Sequence, residues 1–110
     1  MSKKISTENR KADDKWKAAI RKRDVHCVIC GKGLALGEGF KAPRLNAHHL
    51  IPKEFKDYRW DLDNGMLLCV HHHTLGKLSA HKNPLWFVMW MRKYQRAKLG
   101  WMWAIMRESV

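Results

Sequence analysis

Two pairs of potential metal ligands constrain the fold of this chain more than any other feature of its sequence. Cys27 and Cys30 form one pair, Cys69 and His72 form the other, and two residues separate the members of each pair. Zinc is commonly held tetrahedrally by cysteine sulfur at about 2.3 Å and histidine nitrogen at about 2.0 Å. The spacing therefore predicts one closed zinc site that ties two distant segments together. Such a site would stabilise the fold and leave no open position for catalysis.

The cysteine count favours zinc over a disulfide. The chain contains three cysteines, which cannot all pair, and a bridge between the first two would close too short a loop to stabilise much. A set of buried reduced cysteines is the alternative, but it would leave both ligand spacings unexplained. His26 and His71 are alternative histidine ligands. We favour His72 as the ligand, because two residues separate it from Cys69, as in the first pair.

The chain is small and strongly basic. With 110 residues it should form one domain, and a domain of this size gains useful stability from a metal tie. Lys and Arg number 22 against 10 Asp and Glu, which gives a formal net charge of +12. A charge of this size favours a polyanionic partner, and nucleic acid is the partner that we expect. Charge alone does not distinguish an enzyme from a passive binder.

The N-terminal third is expected to contain a basic arm, a helix and a loop. Residues 1–13 are polar and charged, which is typical of a flexible arm in front of a single domain over residues 14–110. From Asp14 onward, apolar residues recur at the spacing of one helix face: Trp16, Ala19 and Ile20. The glycines after Cys30 predict an irregular loop that ends near Pro43.

The middle of the chain is expected to form two strands followed by a helix. Residues 45–50 and 66–68 have the composition and bounding residues of short strands. The helix is expected to start at Cys69. It would place His73 and Lys77 on one face, because residues four apart are neighbours on a helix surface.

Residues 83–110 are predicted to form a helical extension of a core that covers about residues 24–82. Asn83 can cap exposed backbone N–H groups, and Pro84 loses nothing at the first helical position because no hydrogen bond is needed there. The aromatic residues that follow recur at helical spacing, which favours core packing over base stacking. Gly100 is expected to interrupt this helical segment.

A second set of polar residues lies between the two ligand pairs or directly after the second pair. His48 and His49 come first, Asn64 follows, and His73 stands directly after the second ligand pair. In this order, and together with the two pairs of potential zinc ligands, the motifs resemble the HNH endonuclease family over roughly residues 14–82. The resemblance implies an α+β protein with a ββα-metal core. It also implies an enzyme that hydrolyses phosphodiester bonds of DNA, by nicking or by double-strand cleavage.

The resemblance also implies roles for the inner residues. His49 would be the general base that activates water, and His48 and His73 would ligate a divalent cation. Asn64 would brace the loop and so orient the base. Successive side chains of a strand face opposite sides. Both histidines of the pair can therefore serve one site only if the strand end is twisted or the cation lies at its edge.

One position departs from the family pattern. Some members have a further histidine ligand one helical turn after the position of His73, but this chain has Lys77 there, and a protonated lysine cannot ligate. We therefore expect Mg²⁺ or Mn²⁺ in the active site, with Ni²⁺ and Zn²⁺ as alternatives, and a phosphate contact for Lys77. His81 is expected to be structural or exposed and is left outside the site.

The main rival interpretation is a zinc-stabilised DNA-binding module without catalysis. It shares the fold and the charge, but a DNA-binding module has no need for a general base, a residue that orients this base and a set of cation ligands. A zinc deaminase is excluded because its HxE…PCxxC pattern is missing.

Partners and location are expected from composition and analogy. The opening residues are polar and no apolar run is long enough to span a membrane, so a cytoplasmic protein is expected. DNA is the expected substrate. The compact chain resembles small standalone phage enzymes of the family, which implies a bacterial host cell, phage packaging or recombination proteins as partners, and a monomer or weak dimer.

Overall fold

The computed structural model describes residues 7–31 and 45–109. It divides into two compact units, Met1–Cys69 and Val70–Val110, which are described separately below. Most of the glycine-rich loop that the sequence predicts before Pro43 lies outside the described residues, and so do the first six residues of the predicted basic arm.

The first unit opens with a long helix, α1, over Thr7–Asp24. It begins seven residues before the predicted start at Asp14, so the second half of the predicted arm is helical. Glu8 in the first turn and three basic residues in the last turn complement the helix dipole, a local preference that apolar spacing does not register. The buried side chains of Trp16 and Ile20 lie one turn apart on the helix face that packs into the core.

Two antiparallel strands form the only sheet among the described residues. Strand β1 covers Leu45–His49 and strand β2 covers Gly65–Cys69, with His49 opposite Gly65 and Leu45 opposite Cys69. Every residue of β2 is buried, which agrees with its continuous apolar composition. The sheet and helices confirm the predicted α+β class and are consistent with a ββα-metal fold.

Polar side chains of α1 fix the helix to the sheet. Arg21 donates to the Leu45 carbonyl at 3.1 Å, and Arg23 donates to the Gly65 carbonyl at 2.7 Å. Asp24 accepts the backbone N–H of Leu67 at 2.9 Å. These bonds satisfy backbone groups of both strands and hold α1 in register with them.

The second unit contains a short π-helical turn at His71–Leu75, helix α2 at Pro84–Tyr94 and helix α3 at Arg96–Met106. The predicted cap is confirmed, because the Asn83 side chain accepts the backbone N–H of Trp86 at 3.1 Å. The predicted break at Gly100 is wrong. The two helices meet at Gln95, whose non-helical backbone ends α2, and Gly100 lies inside α3.

The π-helical turn corrects the prediction for the helix after Cys69. The turn ends at Leu75, and the residues from Gly76 to Ser79 form a bend. Lys77 is exposed and lies outside the turn, so it does not share a helix face with His73. Among the described helices, none is both long and apolar enough to cross a membrane.

Candidate active site and metal centre

The three cysteines lie close together in the first unit. Cys27 and Cys69 are buried, and the sulfur atoms of Cys30 and Cys69 are 3.8 Å apart. The backbone N–H of Val28 donates to the Leu67 carbonyl at 3.0 Å, so the cysteine turn is attached to β2. Two sulfurs that each lie about 2.3 Å from a tetrahedral zinc are about 3.8 Å apart, which matches this pair.

The surroundings of Cys27 favour its ligating form. Burial raises the pKa of this thiol, but hydrogen bonds from neighbouring backbone groups and from the Cys30 side chain together outweigh burial and leave the pKa below its ordinary value. These groups belong to Cys30, Cys69 and Ile29. A thiolate is the form of cysteine that binds metal.

Cys27, Cys30, Cys69 and His72 together form a group that could hold a metal ion such as zinc. Their ligand atoms all lie within 4.8 Å of one another. Three sulfurs and one imidazole nitrogen form a donor set that is typical of structural zinc. The predicted cysteine and histidine ligands therefore fit the metal that their spacing indicates.

His49 ends β1 with its imidazole held on two sides. Its Nε2 lies 2.9 Å from the carbonyl oxygen of Arg59. Because a carbonyl oxygen only accepts, Nε2 must carry the proton in this hydrogen bond, and Nδ1 keeps the lone pair. The ring also stacks on the indole of Trp16, with ring centroids 4.0 Å apart and planes 6° apart.

The same environment keeps the His49 imidazole neutral. Burial lowers the pKa of His49, and this effect exceeds the opposing effect of its hydrogen bond to the Arg59 carbonyl. A neutral imidazole with a free Nδ1 lone pair can accept a proton. This is the state that a general base requires.

Asn64 has an exposed fraction of 0% and forms three side-chain hydrogen bonds. Its Oδ1 accepts the Ile51 N–H at 2.6 Å, while its Nδ2 donates to the carbonyls of Ile51 at 2.9 Å and Tyr58 at 3.0 Å. Asn64 thus ties both ends of the segment that follows β1. That segment leads to Arg59, whose carbonyl is the hydrogen-bond partner of His49.

His48 is half-buried on β1 and lies opposite Met66 in the sheet. His73 belongs to the second unit, in the π-helical turn. Burial, with a smaller contribution from His81, lowers the pKa of His73 to about 4. The ring of His73 is therefore neutral at neutral pH, as a metal ligand must be.

His81 packs against His73, although sequence reasoning leaves it out of the site. Their ring centroids are 4.7 Å apart in an edge-to-face arrangement, and a potential ligand nitrogen of each lies within 4.8 Å of the other. The backbone N–H of His81 also donates to the His73 carbonyl at 3.1 Å. The π-helical turn and the bend after it bring these residues together. No helical spacing could have signalled this proximity.

A family model described as HNH endonuclease matches residues 27–75. The match starts at the first cysteine and ends with the π-helical turn, so it includes both strands and the histidine pair. No curated protein and no solved structure matched the chain significantly. The family match supports the resemblance inferred from the order of the motifs.

Proposed function

We propose that this chain, whose residues 27–75 belong to the HNH endonuclease family, is a metal-dependent endonuclease that hydrolyses phosphodiester bonds of DNA. The observation that carries the proposal is the hydrogen bond from His49 Nε2 to the Arg59 carbonyl. This bond selects the tautomer in which Nδ1 can accept a proton. A histidine with only a packing role has no need for this arrangement.

His49 is the proposed general base. Hydrolysis requires an attacking water to lose a proton as its oxygen approaches phosphorus, and His49 Nδ1 takes that proton. Because burial lowers the pKa of His49, the imidazole is neutral before the reaction. The hydrogen bond at Nε2 stabilises the imidazolium that forms, since an ionised donor strengthens such a bond. Asn64 keeps the Arg59 segment in place during this step.

His48 and His73 are the proposed cation ligands, as the family resemblance implies. The bound cation would offset charge on the phosphate oxygens and on the departing 3′ oxygen. Mg²⁺ or Mn²⁺ is the cation that we propose. His81 is a further candidate ligand because its ring contacts His73, and additional imidazole donors also suit Ni²⁺ and Zn²⁺.

Binding to DNA is proposed to depend mainly on phosphate contacts. The exposed positive side chains on α1 include Lys15, Lys17, Arg21 and Lys22. Lys77 is exposed in the second unit and is proposed to contact phosphate as well. Because such contacts release condensed counterions, the affinity should fall as salt rises.

The finer parts of the proposal rest on analogy with small standalone members of the family. These parts are action in the cytoplasm of a bacterial host, partnership with phage packaging or recombination proteins, and a monomer or weak dimer. The zinc group of Cys27, Cys30, Cys69 and His72 is proposed to be structural, because a closed set of four protein ligands leaves no position for substrate.

Supercoiled plasmid tests the proposed function directly. Zinc-loaded protein is dialysed against a weak chelator, its retained zinc is measured, and Mg²⁺, Mn²⁺, Ni²⁺ or Zn²⁺ is then added. Conversion to open-circle or linear DNA that requires the added cation supports the nuclease. Binding to the plasmid without conversion by any cation would favour the zinc-stabilised binding module.

A further inference from the structure

We infer that α1 positions the general base, His49, in two ways. Trp16 stacks on the His49 ring, and Asp13 forms a bidentate ion pair with Arg59. The inference rests on the proposed function, because it assigns positioning residues to the same site. The helix lies outside the segment that matches the family model. The family match therefore assigns no role to these residues.

Trp16 restricts how the His49 ring can turn. The two rings are nearly parallel at 4.0 Å, and only 3% of Trp16 is exposed. The indole is itself fixed, because its Nε1–H donates to the Asp61 carbonyl at 2.9 Å. A ring that lies flat against a fixed surface cannot rotate out of its plane without losing that contact. The stack thus holds the plane of the His49 ring in one orientation.

Asp13 fixes the hydrogen-bond acceptor of the base. One carboxylate oxygen accepts Arg59 Nε–H at 2.9 Å, and the other accepts Arg59 Nη2–H at 2.6 Å. The next residue, Trp60, donates its Nε1–H to the same carboxylate at 2.8 Å. A bidentate pair has a defined geometry as well as strength. Asp13 therefore holds two consecutive residues, including Arg59, whose carbonyl accepts the hydrogen bond from His49.

These two contacts act along different directions. The Trp16 stack limits movement out of the imidazole plane, and the Arg59 carbonyl limits rotation within it. Residues one helical turn apart on α1 supply both restraints. Misplacement of a reacting group by about 1 Å can lower a rate about a hundredfold. We therefore expect α1 to contribute to the rate of cleavage in addition to stability.

Asp13→Asn and Asp14→Asn make a matched pair for the test. Both remove one negative charge from neighbouring positions on α1, but only Asp13 contacts Arg59. In zinc-loaded protein with saturating cation and DNA, Asp13→Asn should cleave at least about fivefold more slowly than Asp14→Asn, at equal DNA affinity. Equal single-turnover rates for the two folded variants would overturn the role of Asp13.

Trp16 is tested by a double-mutant cycle with His49. Trp16→Leu should lower the single-turnover rate at least about tenfold, and Trp16→Phe should recover most of that loss because it keeps an aromatic face. In a His49→Ala background, Trp16→Leu should cause no further loss. An equal loss in both backgrounds would overturn the inference, because Trp16 would then act independently of the base.

Nuclear magnetic resonance gives a readout that does not need activity. Long-range proton–nitrogen spectra of the zinc-loaded protein should show His49 protonated on Nε2 in the parent and in Asp14→Asn, and a tautomer mixture in Asp13→Asn. An unchanged tautomer in Asp13→Asn would overturn the role of Asp13. If the parent cleaves DNA and Asp13→Asn and Asp14→Asn cleave at equal rates, this inference alone is contradicted. If the parent does not cleave DNA, the proposed function is contradicted.

Discussion

The sulfur atoms of Cys30 and Cys69 lie 3.8 Å apart although 39 positions separate them in the sequence. This distance matches two ligands of one tetrahedral zinc, and it joins the turn after α1 to the end of β2. A zinc ion held by these residues would therefore connect two segments that no covalent bond joins directly. Loss of the metal should loosen the sheet that carries the histidine pair.

Zinc content tests this site and its register. The parent should carry one zinc per chain, and Cys30→Ser and His72→Ala should lose it and unfold at lower temperature, because structural zinc contributes folding energy. His71→Ala is the matched control, since it removes the neighbouring imidazole. Mass spectrometry of the bound metal shows which histidine is the ligand. Zinc retained by His72→Ala and lost by His71→Ala would contradict the assignment of His72.

Asn64 should stabilise the protein through its buried amide. Asn64→Ala leaves buried backbone groups without partners and should lower the free energy of unfolding by about 1–3 kcal/mol. Asn64→Asp should cost more at neutral pH, because a carboxylate would face the carbonyl oxygens of Ile51 and Tyr58. Asn46→Ala, on half-buried β1, serves as control in urea unfolding. Equal stability of the Asn64 and Asn46 variants would refute the stabilising role of the Asn64 amide.

Gly65 should tolerate no side chain. A Cβ atom there would lie 2.5 Å from Ile20 Cδ1 and 2.6 Å from Trp16 Cζ2, so Gly65→Ala should lower the free energy of unfolding by about 1–3 kcal/mol. It should also slow cleavage, because Trp16 must move away from His49. Gly100→Ala is the contrasting control.

Apart from its two chain neighbours and the backbone of its own helix, no described residue has an atom within 4 Å of a Cβ atom added at Gly100, inside α3. Gly100→Ala should therefore raise the free energy of unfolding by about 0.5–1 kcal/mol. Denaturant unfolding of the two alanine variants should give changes of opposite sign. An increase for Gly65→Ala would contradict the packing described for Gly65, and a decrease for Gly100→Ala would contradict the open space described at Gly100.

The contact between His73 and His81 predicts a cation affinity that depends on His81. In zinc-loaded protein, His81→Ala should weaken Mn²⁺ binding at least about tenfold, whereas Lys77→Ala should leave it unchanged. Electron paramagnetic resonance of free Mn²⁺ measures both affinities without DNA. If the two variants bind Mn²⁺ equally well, His81 is not a ligand.

Local patterns were sufficient to predict several elements of this fold. The apolar run before Cys69 predicts β2, and the Asn83–Pro84 pair predicts the start of α2. Both depend on residues that are close in sequence. The cysteine spacing likewise predicts the zinc group, because ligand chemistry restricts which residues can take part.

The features that sequence reasoning missed depend on distant contacts or unusual backbone. Nothing near His49 in the sequence indicates that Trp16 covers its ring. The π-helical turn has no apolar period of its own, so the sequence predicts an ordinary helix there with Lys77 on its face. For the same reason the contact of His81 with His73 could not be predicted.

The most direct test of the central claim is the single-turnover rate of DNA cleavage by a folded, zinc-loaded His49→Ala variant. His26→Ala is the matched control, because it removes an exposed imidazole outside the proposed site. We predict that His49→Ala lowers the rate at least about a hundredfold with unchanged DNA affinity and zinc content, while His26→Ala cleaves like the parent. Cleavage by His49→Ala at the parent rate would contradict the assignment of His49 as the general base.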